Sequence, residues 1–201
     1  MSTTQAPNMT EQVASYISNM AKANEENKKL LRHAKVTDVK QFKVKTDDNK
    51  SVKALVIYLP FPYLRDHPAA ANKIVNEVQA RTNSFAFVVA KRTVVSKRSD
   101  YKQQIPKSRT LSDVCDQVLG DLVAPAQIIG RRMRVRLNGT HLYKVHLNES
   151  SREYLEDKVE VITQIYHTLT NRKIALEFRR AMNFARTPAQ KRRKKVQKKA
   201  K

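Results

Sequence analysis

Arg132, Arg134 and Arg136 alternate with apolar residues in the run RRMRVRL. A guanidinium keeps its charge at physiological pH and donates paired hydrogen bonds to a phosphate. Alternation along a strand places all three side chains on one face. That face is either a solvated outer sheet surface or a phosphate-binding surface. No acidic residue lies opposite the arginines in the predicted pairing, and this favours phosphate contact.

Two further segments concentrate positive charge. Residues 91–110 hold seven basic residues and one acidic residue, and residues 179–201 hold eleven basic residues and no acidic residue. Both segments suit contacts to the phosphates of a nucleic acid. The cluster at 191–195 suits a nuclear import signal, a nucleic-acid contact, or both. Beside the three arginines above, the predicted RNA-contacting residues are Lys91, Arg92, Lys97, Arg98, Lys102, Lys107, Arg109, Arg186, Lys191, Arg192, Arg193, Lys194 and Lys195.

The residue types that usually carry catalysis or bind metals form no recognisable motif. The five histidines include no HxxxH or HExxH spacing, and His141 and His146 fall on opposite faces of one predicted strand. The adjacent carboxylates Glu156 and Asp157 are typical of a solvated helix face. We therefore expect no catalytic residue, no metal site, no cofactor and no small-molecule substrate, and we predict that the protein is not an enzyme.

The overall charge indicates the class of partner. Of the 201 residues, 40 are Lys or Arg and 18 are Asp or Glu, which gives a formal charge of +22. Such a chain attracts polyanions, and nucleic acid is the first expectation. No run of 18 apolar residues occurs, so we expect no membrane partner. The single cysteine, Cys115, excludes an internal disulfide framework and fits a reducing cytosolic or nuclear setting.

The few aromatic residues of the basic segments predict how a nucleic acid is bound. The chain has no Trp, and Phe184 is the only aromatic residue after Phe178. Stacking of bases on aromatic side chains is therefore not expected to dominate. We expect contacts to the backbone and shape of a folded, duplex-rich nucleic acid.

The elements that must position these residues begin with a strand–helix–strand unit. Residues 10–32 predict a helix, and 36–45 and 51–59 predict two strands. The run ALVIYLPFP does not alternate, which indicates a strand buried on both faces. A helix from Pro68 and a strand at 85–90 follow, so we expect a parallel pair of strands joined by a crossover.

Residues 130–147 predict a β-hairpin around Asn138-Gly139. A two-residue loop would put Tyr143 and Val145 on the arginine face. A three-residue loop with a bulge at Gly139 puts them on the opposite face, and only this register separates an apolar face from a basic one. We therefore expect four apolar residues to face the core: Met133, Val135, Tyr143 and Val145. The cost of this register is Arg132 opposite Lys144, a repulsion that a bound phosphate would relieve.

The remaining pattern completes an α+β fold. Thr110 with Asp113, and Ser150 with Glu153, predict capping boxes for helices at 111–122 and 149–170. Cys115 lies on the apolar face of the first of these helices and is predicted to be a buried core residue, not a reactive thiol. A last strand is predicted at 173–178. We expect a mixed sheet of about six strands with about four helices, plus an extended basic C-terminal tail.

The predicted domain organisation follows the distribution of charge. Residues 1–9 are expected to be a flexible N-terminus, and residues 10–178 a single α+β RNA-binding domain that contains the basic loop 91–110. Residues 179–201 form a basic C-terminal extension that cannot neutralise its own charge.

Several stretches resemble a known family. Residues 108–149, SRTLSDVCDQVLGDLVAPAQIIGRRMRVRLNGTHLYKVHLNE, closely resemble ribosomal protein seven of the eukaryotic small subunit, the eukaryote-specific family and not the bacterial protein of that number. The stretches KALVIYLPFPYL, FAFVVAKR and IYHTLTNRKIALEF extend the resemblance over roughly residues 10–178. Family members end soon after the last strand, so the extension 179–201 departs from the family pattern.

The resemblance implies a structural constituent of the small ribosomal subunit with an α+β fold. It implies contact with small-subunit ribosomal RNA, including expansion segments, and with neighbouring small-subunit ribosomal proteins. It also implies a cytoplasmic ribosome as the final location. Assembly is expected in the nucleolus, within the early precursor particle, with a role in maturation of the ribosomal RNA. The alternative from the residues alone is a basic DNA-binding or chromatin protein, although no helix-turn-helix, zinc-finger or homeodomain pattern occurs.

Overall fold

The computed structural model describes residues 9–23, 25–31, 33–45, 51–95 and 106–180. The helices of this part are α1 Met9–Ala23, α2 Glu25–Leu31, α3 Phe61–Asp66, α4 Pro68–Thr82, α5 Leu111–Val123, α6 Arg152–Leu155 and α7 Val159–Thr170. The strands are β1 Asp38–Lys45, β2 Ser51–Pro60, β3 Phe85–Lys91, β4 Ile128–Val135, β5 His141–Asn148 and β6 Lys173–Arg179. The α+β class is confirmed, and the six strands are divided between two three-stranded sheets. No helix of the described ranges is long and apolar enough to cross a membrane.

The two sheets have the same connectivity. In the first sheet β1 pairs with β2 antiparallel, and α3 and α4 then lead to β3, which is parallel to β2. In the second sheet β4 pairs with β5 antiparallel, and α6 and α7 then lead to β6, which is parallel to β5. The predicted crossover to a parallel strand at 85–90 is therefore confirmed, and the second half of the chain repeats it.

The central strand of the first sheet, β2, is buried on both faces over residues 54–59, as the run ALVIYLPFP predicts. Leu55, Ile57 and Leu59 of β2 are at most 1 % exposed and pack in a cluster with residues of α1, α2 and α4. Ala54 and Val56 are fully buried in a second cluster on the opposite face. A strand that exposes neither face needs apolar residues at every position, and this explains the absence of alternation.

The second sheet contributes only one face to the core. Val145, Leu147 and Ile174 are at most 5 % exposed and belong to the cluster that also contains α5, α7 and one face of the first sheet. The alternate residues of β4, β5 and β6 point away from this cluster. They form what we call the outer face, which consists of Arg132, Arg134, Leu142, Lys144, His146, Lys173, Ala175, Glu177 and Arg179, together with Arg136 just beyond β4.

The helix starts differ from the predicted capping boxes. The Thr110 hydroxyl donates to the Lys107 carbonyl oxygen (2.7 Å) and makes no cap hydrogen bond to α5. Residues 149–170 are not one helix, because 3₁₀ turns at Glu149–Ser151 and Glu156–Lys158 flank the short α6. The Asn148 side chain accepts from the Ser150 backbone N–H, so the asparagine takes the capping position predicted for Ser150. The helices α4 and α7 are followed by the C-cap residues Asn83 and Asn171, and both asparagines adopt the left-handed conformation.

Candidate nucleic-acid interface

The hairpin formed by β4 and β5 adopts the predicted bulged register. Met133 lies opposite Tyr143, and Arg132 lies opposite Lys144. The Arg136 backbone N–H donates to the Thr140 carbonyl oxygen (3.0 Å), which leaves a three-residue loop. Gly139 closes this loop with a φ of +75°, a conformation that an L-residue with a side chain adopts only at a cost. The register puts the three arginines on the outer face, as predicted.

The apolar side of the hairpin is covered over only part of its length. Val145 is buried and Tyr143 is half-buried against the core, as predicted. Met133 and Val135 are 56 % and 57 % exposed, so the prediction that they face the core is wrong. The end of the hairpin projects beyond the neighbouring layer. Alternation decides which face a side chain takes, but not how far the packed layer extends.

The arginines of the outer face are available to a ligand. Arg132, Arg134 and Arg136 are exposed, and none forms an ion pair within the described part of the chain. The predicted approach of Arg132 and Lys144 is present, and a carboxylate on β6 lies beside Lys144. Lys144 Nζ donates to Glu177 Oε1 at 2.6 Å across the β5–β6 pair. The sequence prediction missed Glu177 because β6 was not assigned a neighbour.

Glu177 is the centre of a charged group on this face. Its Oε2 lies 3.4 Å from Arg179 Nη2 and 3.5 Å from His146 Nδ1. The hydrogen bond from Lys144 lowers the pKa of Glu177, and burial opposes this. Burial lowers the pKa of His146, and the positive charges of Arg179, Arg132 and Lys144 lower it further. At neutral pH the outer face therefore carries one carboxylate, a neutral imidazole and a surplus of cations.

The second basic cluster lies where β3 leads towards α5. The Val95 backbone N–H donates to the Arg109 carbonyl oxygen (3.1 Å), which joins the segment after β3 to the turn before α5. Lys91, Lys107 and Arg109 are exposed. They make no ion pair among the described residues, and together they leave a second basic surface open to solvent.

Arg92 differs from the other basic residues of this cluster, because its guanidinium is already engaged. It forms a two-pronged ion pair with Asp121 of α5, with Nη2 at 3.2 Å from Oδ1, and its side chain is only 13 % exposed. It also lies over the Phe61 ring at 5.3 Å. The Asp121 carboxylate accepts in addition from the Ala90 backbone N–H (2.9 Å). These contacts show that Arg92 ties α5 to the edge of the first sheet.

Nine of the predicted RNA-contacting residues lie outside the described residues: Lys97, Arg98, Lys102, Arg186, Lys191, Arg192, Arg193, Lys194 and Lys195. The described residues contain no group of three His, Cys, Asp or Glu side chains that could hold a metal ion. Cys115 is buried, as its place on the apolar face of α5 predicts.

Comparison with known proteins identifies the family to which this fold and its basic surfaces belong. The family model described as Ribosomal protein S7e matches residues 1–178. The chain belongs to the S7e family. The resemblance seen in residues 108–149 and in the flanking strands is thereby confirmed. The match ends just before the segment 179–201, so the basic extension lies beyond the part shared with the S7e family.

Relatives in the S7e family come from distant eukaryotes. The chain is 35% identical over 162 residues to "Small ribosomal subunit protein eS7" of Drosophila melanogaster, which covers 78% of this chain and 81% of that protein. The protein of the same name from Dictyostelium discoideum is 33% identical over 155 residues, with 73% and 80% covered. "Small ribosomal subunit protein eS7z" of Arabidopsis thaliana is 29% identical over 172 residues, with 85% and 88% covered. The similarity to S7e relatives therefore extends over most of the described fold.

Proposed function

We propose that this protein is a structural constituent of the small ribosomal subunit that binds and stabilises ribosomal RNA. The main support for this proposal is the exposed basic surface on the outer face of the second sheet. There Arg132 and Arg134 of β4, with Arg136 just beyond it, are exposed and make no ion pair in the described part of the chain, in a protein of the S7e family. Family membership argues against the alternative of a chromatin protein. It also favours a structural role over an enzymatic one.

The geometry suits binding to the RNA backbone. Side chains at alternate positions of a strand are about 6.5–7 Å apart, close to the spacing of successive phosphates along a nucleic-acid strand, so neighbouring arginines can reach neighbouring phosphates. Each such contact releases a counterion and makes the affinity depend on salt. Arg92 contributes by holding the fold, because Asp121 already binds its guanidinium. Lys91, Lys107 and Arg109 provide a second contact surface.

The wider role follows from the family. Relatives are named as small-subunit proteins, and we propose the cytoplasmic ribosome as the final location, with neighbouring ribosomal proteins as further partners. Assembly into the precursor particle in the nucleolus, support of ribosomal RNA maturation, and contact with expansion segments belong to the same proposal. The extension 179–201, with eleven basic residues and no acidic one, is proposed to bind RNA through its charge.

The test replaces Arg132, Arg134 and Arg136 together with Gln. The matched control replaces the exposed Lys22, Lys28 and Lys35, near α1 and α2, with Gln, which removes the same charge from the other side of the first sheet. Binding to a structured small-subunit RNA fragment is measured across a salt series, and incorporation into small subunits is measured in cells by sedimentation.

We expect the arginine variant to keep its thermal midpoint, because none of its three side chains packs in the core. Its log–log salt slope should become shallower by up to about 2–3, since each phosphate contact contributes about 0.7–0.9. The lysine variant should change the slope less. Normal incorporation of the arginine variant, or equal losses in both variants, would show that the outer face is only solvated.

A further inference from the structure

His146 is a buried histidine on a face whose other residues are mostly polar and at least partly exposed. It is only 5 % exposed, yet neither of its ring nitrogens makes a hydrogen bond within the described residues. Gly130 lies beside the ring, and a methyl group at Gly130 would lie 3.7 Å from His146 Cδ2. Buried polar atoms without partners are rare in folded proteins, and each one calls for an explanation. Packing in the core does not explain the burial of His146, because its neighbours Val145 and Leu147 point to the opposite face of the sheet.

The charged groups that face His146 come from all three strands of the second sheet. Arg132 comes from β4, Lys144 from β5, and Glu177 and Arg179 from β6. Glu177 is the only acidic residue among them, and its carboxylate contacts both Lys144 (2.6 Å) and Arg179 (3.4 Å). A single anion thus holds two cations together over a neutral imidazole. An RNA phosphate brings the same charge and the same acceptor oxygens to this place.

We propose that Glu177 stands in for an RNA phosphate in the free protein, and that His146 takes up a proton when a backbone phosphate replaces Glu177 as the partner of Lys144 and Arg179. This inference rests on the proposed RNA-binding function and adds a specific site to it. The proton comes from solvent and adds to His146 Nδ1, which lies 3.5 Å from Glu177 Oε2. The carboxylate then exchanges its two cationic partners for the imidazolium, and the phosphate takes those two partners.

The direction of the pH effect follows from the charges. In the free protein burial opposes protonation of His146 most strongly, Arg179, Arg132 and Lys144 oppose it further, and Glu177 favours it. A bound phosphate adds a negative charge and partly neutralises those cations, so protonation becomes easier in the complex than in the free protein. Proton uptake on binding means that RNA affinity rises as the pH falls. Uptake of one proton corresponds to at most about a tenfold gain in affinity for each unit of pH.

The first experiment measures affinity for a structured small-subunit RNA fragment between pH 8 and pH 6 at fixed salt. Full-length wild-type protein is compared with His146→Gln, in which the amide cannot be protonated. We expect a steeper rise in affinity for the wild type, with a difference of about threefold to tenfold over the range. The two proteins differ only at residue 146, so a difference between their slopes is assigned to that residue. Equal slopes would overturn the inference and leave the proposed function intact, whereas a wild type that binds no RNA even at low salt would defeat both.

The second experiment compares Glu177→Gln with Glu153→Gln, an exposed residue of α6 that loses the same charge away from the outer face. At neutral pH, Glu177→Gln should bind RNA more tightly than Glu153→Gln by about threefold or more, because Lys144 and Arg179 are released. No difference between the two variants would contradict the role of Glu177. Imidazole NMR of the wild type provides a measurement without any variant: the titration midpoint of His146 should move to higher pH when RNA binds, and an unchanged midpoint would overturn the proposal.

Discussion

The two sheets share one topology and differ in what covers them. Each is an antiparallel pair followed by a helical crossover to a parallel third strand. The central strand of the first sheet is buried on both faces over its apolar run 54–60, whereas the second sheet is covered on one face and its residues alternate between apolar and polar. The two sheets therefore have different roles. The first sheet forms much of the core, whereas the second sheet has an outer face on which charged residues can be accommodated.

Two ion pairs of α5 show how differently the two sheets are exposed to solvent. The aspartates of these pairs, Asp121 and Asp116, both lie on α5, which is packed in the core between the two sheets. Asp121 binds Arg92 beside the first sheet, where the two side chains are 23% and 13% exposed. Asp116 binds Arg131 of the second sheet at 2.9 Å, where both side chains are about 41–42% exposed. Removing one partner costs more in a pair shielded from water than in a solvated pair, because it leaves a desolvated charge without its counter-charge.

An aspartate substituted into each sheet should produce the largest difference in stability between the two sheets. Ile57→Asp buries a carboxylate in the first sheet, where Ile57 is fully inaccessible, and should cost more than about 5 kcal/mol and unfold the protein. Val135→Asp adds the same charge at a residue that is 57% exposed and should cost less than about 1 kcal/mol. Circular dichroism during urea unfolding compares them. A folded Ile57→Asp variant, or an unfolded Val135→Asp variant, would mean that the two sheets are not covered as described.

A smaller effect separates the two aspartates of α5. Asp121→Asn leaves the Arg92 guanidinium largely buried without its counter-charge and should cost about 2–3 kcal/mol. Asp116→Asn removes a solvated partner and should cost less than about 1 kcal/mol. Urea unfolding at neutral pH and low salt measures both free energies. Equal costs would show that α5 is held alike on its two sides.

The smallest expected effect is a pH dependence of folding stability that arises from His146 in the second sheet. Because the pKa of His146 lies below its ordinary 6.5 in the folded protein, the unfolded chain binds the proton first as the pH falls. The stability linked to His146 is complete above pH 6.5 and is lost progressively below it, by at most about 1.4 kcal/mol for each unit of pH. The lowered pKa of Glu177 acts only below its ordinary 4.5, so the two effects are separate.

Thermal unfolding of the free protein at pH 7.0 and pH 5.5 tests this. The loss of stability on acidification should be smaller in His146→Gln than in the wild type. His33→Gln, at an exposed histidine of the first half, is the control and should behave as the wild type does. A loss of the same size in all three proteins would assign the pH effect to other groups.

Local pattern predicted most of the fold and part of the interface. The continuous run in β2, the proline at the start of α4 and the bulged loop at Gly139 are each decided by neighbouring residues, and all three are confirmed. The ion pair of Arg92 with Asp121 joins residues 29 positions apart, and Glu177 meets Lys144 only because β6 lies beside β5. Such contacts depend on how elements are arranged in space, so periodicity and spacing cannot reveal them. The exposure of Met133 has the same origin, because it depends on where the neighbouring layer ends.

The projecting end of the hairpin has a consequence for copies of the protein that have not yet joined a particle. β4 pairs only with β5 in the described sheet, so its other edge presents unpaired backbone groups, and the apolar side chains of Met133, Val135 and Leu137 lie exposed beside that edge. An open edge with apolar side chains is the arrangement from which intermolecular sheets and aggregates grow. Arginine at every second position interrupts the apolar run and makes two such edges repel each other. The arginines proposed to bind RNA therefore also reduce aggregation of the protein before it binds RNA.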